Sequence, residues 1–198
     1  MKQFILSFMV VASVLSACNN NKKTVEATSD DGKTTVSADV NQLQQVSEEM
    51  RKQSEELKNL PPLSLDELKA LLPEQIMGAK RANFQATSAT GTGLATAEYT
   101  INDSTELQVS IWDCGGPAGA GIYSTQYLAM FNFQSESDNE YTKTIDFKGQ
   151  KAIEHCETNS NRCTLTYFTG KRFMVTLEGR NMHPEGLKQA ANELNVKS

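Results

Sequence analysis

The residues of this chain with the most specific chemistry are its cysteines and histidines, because a thiol can act as a nucleophile, form a disulfide or bind a metal. The chain has four cysteines and two histidines. Cys156 and Cys163 flank a polar loop, Glu157 to Arg162, between two segments that alternate as strands do. A hairpin would bring the two thiols together, so their spacing predicts a disulfide between them.

Cys114 is left without a partner, and its surroundings support two interpretations. It lies just before a helix predicted to begin near Pro117, and a helix N-terminus lowers the pKa of a nearby thiol, which would suit a nucleophile with His155 as its base. Alternatively, Cys114 is a small buried residue at the end of a strand. The neighbouring Asp113 favours this second interpretation, because a negative charge raises the pKa of the thiol and makes it less reactive.

Sequence motifs of metal, cofactor and hydrolase sites are absent. The two histidines, His155 and His183, lack the short ligand spacings of zinc sites, so no metal is predicted. The glycines at 115–116 match neither the phosphate-loop nor the dinucleotide pattern, and no serine-hydrolase or metalloprotease motif occurs. We therefore predict no cofactor, and a binding protein is favoured over an enzyme. His183 precedes Pro184 and is expected at the start of a helix.

A second candidate site consists of aromatic residues around the predicted helix. Trp112 precedes it, and Tyr123 and Tyr127 lie within it. Aromatic side chains are enriched at binding hot spots, so these three residues are a candidate contact surface. The alternative, which we favour, places them in the core, where truncation of Trp112 would unfold the domain.

The N-terminus has the organisation of an exported, lipid-modified protein. Met1 and Lys2 are followed by an apolar stretch from Phe4 to Leu15, then by two small residues and Cys18. The apolar stretch is shorter than the roughly 20 residues that span a hydrocarbon core. A signal peptide that ends at a cysteine in this way resembles the lipobox of bacterial lipoproteins.

The lipobox resemblance implies a location as well as a modification. Residues 1–17 would be removed, Cys18 would carry lipid, and this lipid would hold the chain at a membrane. Asn19 stands where an aspartate would resemble an inner-membrane retention signal, and no acidic export run follows it. The resemblance thus implies the outer membrane, facing the periplasm. That oxidising compartment favours the Cys156–Cys163 disulfide.

The segment after the lipidated cysteine divides into a tether and a helical linker. Residues 18–38 are mostly polar and predict a flexible tether. Residues 39–62 predict a helical linker that ends at two prolines. Its apolar residues form a narrow heptad-like seam over residues 39–60. This segment would either self-associate as a stalk, or be a solvated helix that lies on the domain of the same chain or frays. The seam residues are Leu43, Val46, Met50, Leu57 and Leu60, with Gln53 at the remaining position.

Residues 63–198 predict one α+β domain. A capping box at Ser64 and Glu67 begins its first helix. Period-two alternation predicts about seven strands in the order helix, three strands, helix, four strands, helix. Short links between strands require antiparallel pairing, so we expect a single, mostly antiparallel sheet packed by two or three helices. This order of elements resembles that of the PsbP/Mog1-like sandwich, which implies a fold and no function.

Charge excludes one class of partner, and three functional hypotheses remain. The chain has a net charge of −5, or −6 without Lys2, and no basic cluster, which argues against nucleic-acid binding. The favoured hypothesis is a lipid-anchored accessory module of the cell envelope that binds a protein or a small ligand. The alternatives are a thiol-dependent envelope enzyme or redox protein using Cys114, and a structural protein that self-associates through residues 39–60.

Overall fold

A computed structural model describes residues 24–29, 32, 34–89, 91–194 and 196 of the chain. Within these ranges it contains eleven strands, four α-helices and one 3₁₀ helix. The elements of the first half are β1 (Thr24–Thr28), β2 (Thr34–Asp39), α1 (Val40–Lys58), α2 (Leu65–Ala70), β3 (Gln75–Ile76), β4 (Ala79–Ala89), β5 (Thr92–Asn102) and β6 (Thr105–Asp113). Those of the second half are α3 (Gly116–Tyr123), the 3₁₀ helix (Ser124–Met130), β7 (Asn132–Glu136), β8 (Glu140–Phe147), β9 (Gln150–Glu157), β10 (Arg162–Thr169), β11 (Phe173–Arg180) and α4 (Pro184–Glu193).

All eleven strands form one sheet, in the order β1-β2-β7-β8-β9-β10-β11-β6-β5-β4-β3. Every pair of neighbouring strands is antiparallel, which confirms the α+β class and the single antiparallel sheet. The predicted number of about seven strands was wrong. The seven expected strands are β4–β6 and β8–β11, and the four additional ones are short and mostly polar, so their alternation gives little signal.

Two of the additional strands, β1 and β2, fall in the range 18–38 except for Asp39 at the end of β2, and composition predicts a flexible tether for this range. They pair with each other, and β2 pairs with β7 at the edge of the sheet. A polar hairpin can add to an existing sheet edge because the backbone supplies the hydrogen bonds. Ten residues of this range, 24–28 and 34–38, are therefore strand, while residues 1–23, which include Cys18, lie outside the described residues.

The main core lies on one face of the sheet, beneath α2 and α4. The central strands direct aliphatic and aromatic side chains to this face, and the two helices cover them with leucine and alanine side chains. In α2, Leu68 is fully buried, and the predicted capping box at Ser64 and Glu67 is confirmed. In α4, Leu187 and Ala190 are fully buried.

A second core lies on the opposite face, beneath α1 and α3, and covers one end of the sheet. Val46, Met50 and Leu57 of α1 pack with Tyr123 of α3 and Met174 of β11. The seam of α1 therefore contacts the domain of the same chain. The helix predicted to begin near Pro117 is shorter than expected, because α3 ends at Tyr123 and continues as the 3₁₀ helix. None of the helices described is both long and apolar enough to cross a membrane.

Candidate functional site

The candidate site is built around a buried ion pair between Asp113, at the end of β6, and Arg172, in the turn just before β11. Asp113 is fully buried, and the Arg172 side chain is 12% exposed. Nε of Arg172 donates to Oδ1 of Asp113 at 2.7 Å, and Nη2 donates to Oδ2 at 3.0 Å. This two-bond geometry fixes the guanidinium in one plane and is the strong form of an arginine–carboxylate contact.

The same ion pair fixes the linker between α1 and α2. The backbone N–H of Leu63 donates to Oδ2 of Asp113 at 2.7 Å, and Nη2 of Arg172 donates to the carbonyl of Pro61 at 2.6 Å. The N–H of Gly115 donates to Oδ1 at 2.9 Å. A Cβ atom at Gly115 would lie 2.8 Å from Nη2 of Arg172, so a larger residue here would require the guanidinium to move from its ion pair.

Beside this pair is a cavity of about 660 Å³, between the C-terminal half of α1, α2 and the turn from β10 to β11. Its volume falls in the range of small-molecule sites, about 300–1,000 Å³. The apolar part of its wall consists of Leu60, Leu63, Ala70, Leu71 and Phe173. The polar part consists of Gln53, Glu56, Glu67, Gly170, Lys171 and Arg172.

Several polar groups of the cavity wall have no partner among the described residues. Nη1 of Arg172 makes no hydrogen bond there, although Nε and Nη2 do. The ammonium of Lys171 and the carboxylate of Glu56 are likewise unpaired within the described ranges. Glu67 uses Oε2 in the capping box, where bonds from Ser64 lower its pKa. The cavity thus combines an apolar wall with free charges of both signs.

Cys114 lies next to this site, but it belongs to the second core. Its side chain is fully buried, packed in the cluster that contains Met50 and Tyr123. Burial raises the pKa of the thiol to about 12, and the charge of Asp113 acts in the same direction. This environment corresponds to the buried alternative, in which the thiol is a small apolar residue.

His155 does not lie near Cys114. It is on β9, with β10 and β11 between it and β6, and its register aligns it with Gln108 rather than with the end of β6. Three strand spacings correspond to about 14 Å. Nδ1 of His155 lies 2.8 Å from the hydroxyl of Thr142. His155 is therefore too far from the Cys114 thiol to act as its base.

Cys156 and Cys163 are paired directly across β9 and β10, with their sulfur atoms 2.10 Å apart. This separation is compatible with the predicted disulfide. Both side chains face the main core, next to a second cavity of about 400 Å³ that His183 also lines. His183 occupies the N-cap position of α4 without a side-chain hydrogen bond to the helix.

The aromatic residues singled out in the sequence are placed mainly in the second core. Tyr123 is 3% exposed, and its ring centroid lies 4.5 Å from that of Phe168. Trp112 is partly buried against the same cluster. Tyr127 lies in the 3₁₀ helix, and its side chain is outside the described part of the structure. Tyr123 therefore contributes packing and leaves little surface for a partner.

One functional-looking residue, Glu154 on β9, was missed by sequence reasoning. An acidic residue between apolar ones normally indicates the solvent face of a strand, yet Glu154 is 2% exposed and faces the main core. Its carboxylate is ion-paired with Lys143 at 3.0 Å and with Lys188 of α4 at 3.2 Å, and the hydroxyl of Tyr141 donates to it at 2.9 Å. No sequence signal indicated this cluster, because its members come from β8, β9 and α4.

The described ranges contain no group of three or more histidine, cysteine, aspartate or glutamate residues arranged to hold a metal ion. Comparisons with known proteins add no relative, since no family model, no curated protein and no solved structure matches the chain.

Proposed function

We propose that this chain is a lipid-anchored binding module of the bacterial cell envelope, attached through Cys18, and that it holds a small ligand in the cavity between α1, α2 and the β10–β11 turn. The observation that carries the binding part is the combination of an apolar wall with Nη1 of Arg172, which has no partner in the described part of the chain. A partly buried cation with free donors is favourable only when a ligand or water satisfies them.

The rigidity of the site supports binding further. Arg172 is fixed by Asp113 and by the carbonyl of Pro61, and Gln53 of α1 donates to the backbone carbonyl of Lys171 at 3.1 Å. The two helices and the turn that form the wall are thereby connected. A preformed site loses little conformational entropy on binding, which favours affinity.

The two alternative hypotheses have less support. A thiol-dependent enzyme needs an ionisable nucleophile and a base, whereas burial raises the pKa of Cys114 and His155 lies on a distant strand. Self-association through residues 39–60 needs a free seam, whereas Val46, Met50 and Leu57 pack on the domain of the same chain.

The anchor is tested by fractionating cells that express the full chain with and without Cys18→Ala. We expect the unchanged chain in the membrane fraction, labelled by a metabolically supplied fatty acid, and the variant unlabelled and released from the membrane. A variant that still carries the label, or an unchanged chain found free of the membrane, would contradict the anchor.

The cavity is tested by native mass spectrometry of the full chain purified from its own cells in mild detergent. We expect a bound small molecule in the unchanged protein and its loss in Ala70→Trp, which places a bulky ring in the cavity. Ala82→Trp is the matched control, because Ala82 is exposed on β4 and does not line the cavity. An equal complement of bound molecule in both variants would contradict binding at this cavity.

A further inference from the structure

The charges around the cavity indicate more than a general capacity for binding. Lys171 and Arg172 lie on the β10–β11 turn, whereas Glu56 and Glu67 lie on α1 and α2. The cationic groups therefore approach from the sheet side and the acidic groups from the helix side. Among the described residues, the Arg172 side chain hydrogen-bonds only to Asp113 and Pro61, and the Glu67 side chain only to Ser64, so no ion pair there connects the two sets.

The apolar part of the wall lies between these two sets of charges. Leu60 and Leu63 come from the linker, Leu71 follows α2, and Phe173 begins β11. A ligand that fills this space should have apolar side groups of moderate size. A simple hydrocarbon acid would satisfy the two cations and leave the acidic groups without a counterpart, and a simple amine would do the reverse.

We propose that the cavity binds a short peptide with apolar side chains and two free ends, as a zwitterion. Its α-carboxylate would accept hydrogen bonds from Nη1 of Arg172 and from the ammonium of Lys171, and its α-ammonium would lie at Glu56. Its side chains would pack on Leu60, Leu71 and Phe173. This inference rests on the proposed function, since it names the class of ligand for the same cavity.

The peptide termini explain why the two parts of Arg172 have different roles. Nε and Nη2 are fully used in holding Asp113 and Pro61, so they orient the guanidinium. Nη1 is then fixed in direction and can recognise a carboxylate without further ordering of the side chain. Hydrogen bonds to charged groups are about twice as strong as neutral ones, so this contact should dominate the affinity.

The test is calorimetric titration of the full chain in lipid nanodiscs, with empty nanodiscs as the blank. The probe is the tripeptide Leu-Leu-Leu, compared with its N-acetylated form, its C-amidated form and hexanoate. We expect amidation to weaken binding about tenfold or more, because the charge-assisted bonds to Arg172 and Lys171 are lost. Acetylation should weaken it only about twofold to threefold, because Glu56 is exposed to solvent.

Two charge-neutralising variants locate the contacts without disturbing the Asp113–Arg172 pair. Lys171→Gln should weaken binding of the free tripeptide severalfold and leave the affinity for the amidated form unchanged. Glu56→Gln should weaken the free tripeptide and leave the acetylated form unchanged. Lys52→Gln and Glu48→Gln are the matched controls, since both positions are exposed on α1 and do not line the cavity.

The outcomes separate failure of the inference from failure of the proposed function. The inference of a peptide ligand would be overturned if hexanoate or the amidated peptide binds as tightly as the free tripeptide. The proposed cavity would still stand if this binding is lost in Ala70→Trp. The peptide inference would also be overturned, and the cavity kept, if mass spectrometry finds a bound molecule in the purified protein and that molecule does not compete with the tripeptide for binding. Absence of binding by every probe, together with no molecule retained in the cavity, would overturn both.

Discussion

At the scale of single residues, the Asp113–Arg172 pair is the contact on which most of the site depends. Asp113→Ala would leave a buried guanidinium without its counter-ion and two backbone N–H groups, those of Leu63 and Gly115, without an acceptor. We expect the free energy of unfolding to fall by about 3–5 kcal/mol, measured by urea titration. The control is Glu178→Ala, which removes an exposed pair with Arg162 and should cost less than about 1 kcal/mol. Equal losses in the two variants would contradict the structural role of the pair.

The Cys114 thiol should be unreactive in the folded protein. Burial raises its pKa to about 12, so at pH 8 only about one thiol in ten thousand is ionised, and alkylating reagents cannot reach it directly. Iodoacetamide followed by mass spectrometry should label Cys114 only when guanidinium is present. Rapid labelling of the native protein would favour the redox hypothesis again.

Glu154 should make stability depend on pH in the acidic range. Burial alone would raise the pKa of its carboxyl, but hydrogen bonds from Lys143, Tyr141 and Lys188 lower it below its usual value near 4.5. A group with a lowered folded pKa contributes stability above its unfolded pKa, and this contribution is lost as the pH falls through the folded value. The difference in free energy of unfolding between the unchanged protein and Glu154→Gln should therefore be largest above pH about 5 and shrink below pH about 4. A difference that stays constant from pH 7 to pH 3 would show that the ionised carboxylate is not the source.

At the scale of elements, the position of α1 distinguishes a packed helix from a free stalk. Leu57 is fully buried against the domain, although it belongs to the heptad-like seam through which a free helix would self-associate. We expect Leu57→Ala to lower the free energy of unfolding by about 2–5 kcal/mol at a protein concentration where sedimentation shows a monomer. Gln44→Ala on the exposed side of α1 is the control and should have little effect. A loss of stability that disappears on dilution would instead indicate that the seam joins two chains.

Some of the helices and strands could be predicted from the sequence and others could not. Strands with a period of two, such as β6 and β11, and the capping box of α2 could be identified because local residue patterns determine them. The strands β1, β2, β3 and β7 could not, because a short polar segment joins a sheet only when a neighbouring edge is present. The candidate site could not be predicted from the sequence for a related reason. Asp113 and Arg172 are 59 positions apart, and their contact arises from the pairing of β6 with β11.

At the scale of the whole molecule, protection of the backbone should decrease from the centre of the sheet to the β1 edge. Strands β5, β6, β10 and β11 direct fully buried residues to the main core, whereas no residue of β7 is buried. Hydrogen exchange followed by mass spectrometry should be slowest in β6 and β11 and at least about tenfold faster in β7. A β7 peptide protected as strongly as β11 would contradict this order and would indicate a further layer of packing over that edge.

The position of β1 at the sheet edge would have a mechanical consequence under the proposed anchoring at Cys18. Tension from the membrane would enter the described part of the chain at Thr24, and among the described strands β1 pairs only with β2, beginning with Thr24 and Asp39. A pull at that end would open the hairpin one residue pair at a time, like a zipper, instead of shearing all pairs together. Release of residues 24–39, which also requires the β2–β7 pairs to open, would add about 50 Å of slack before the load reached α1. The hairpin would therefore act as a low-force extension that keeps strain from the proposed binding cavity.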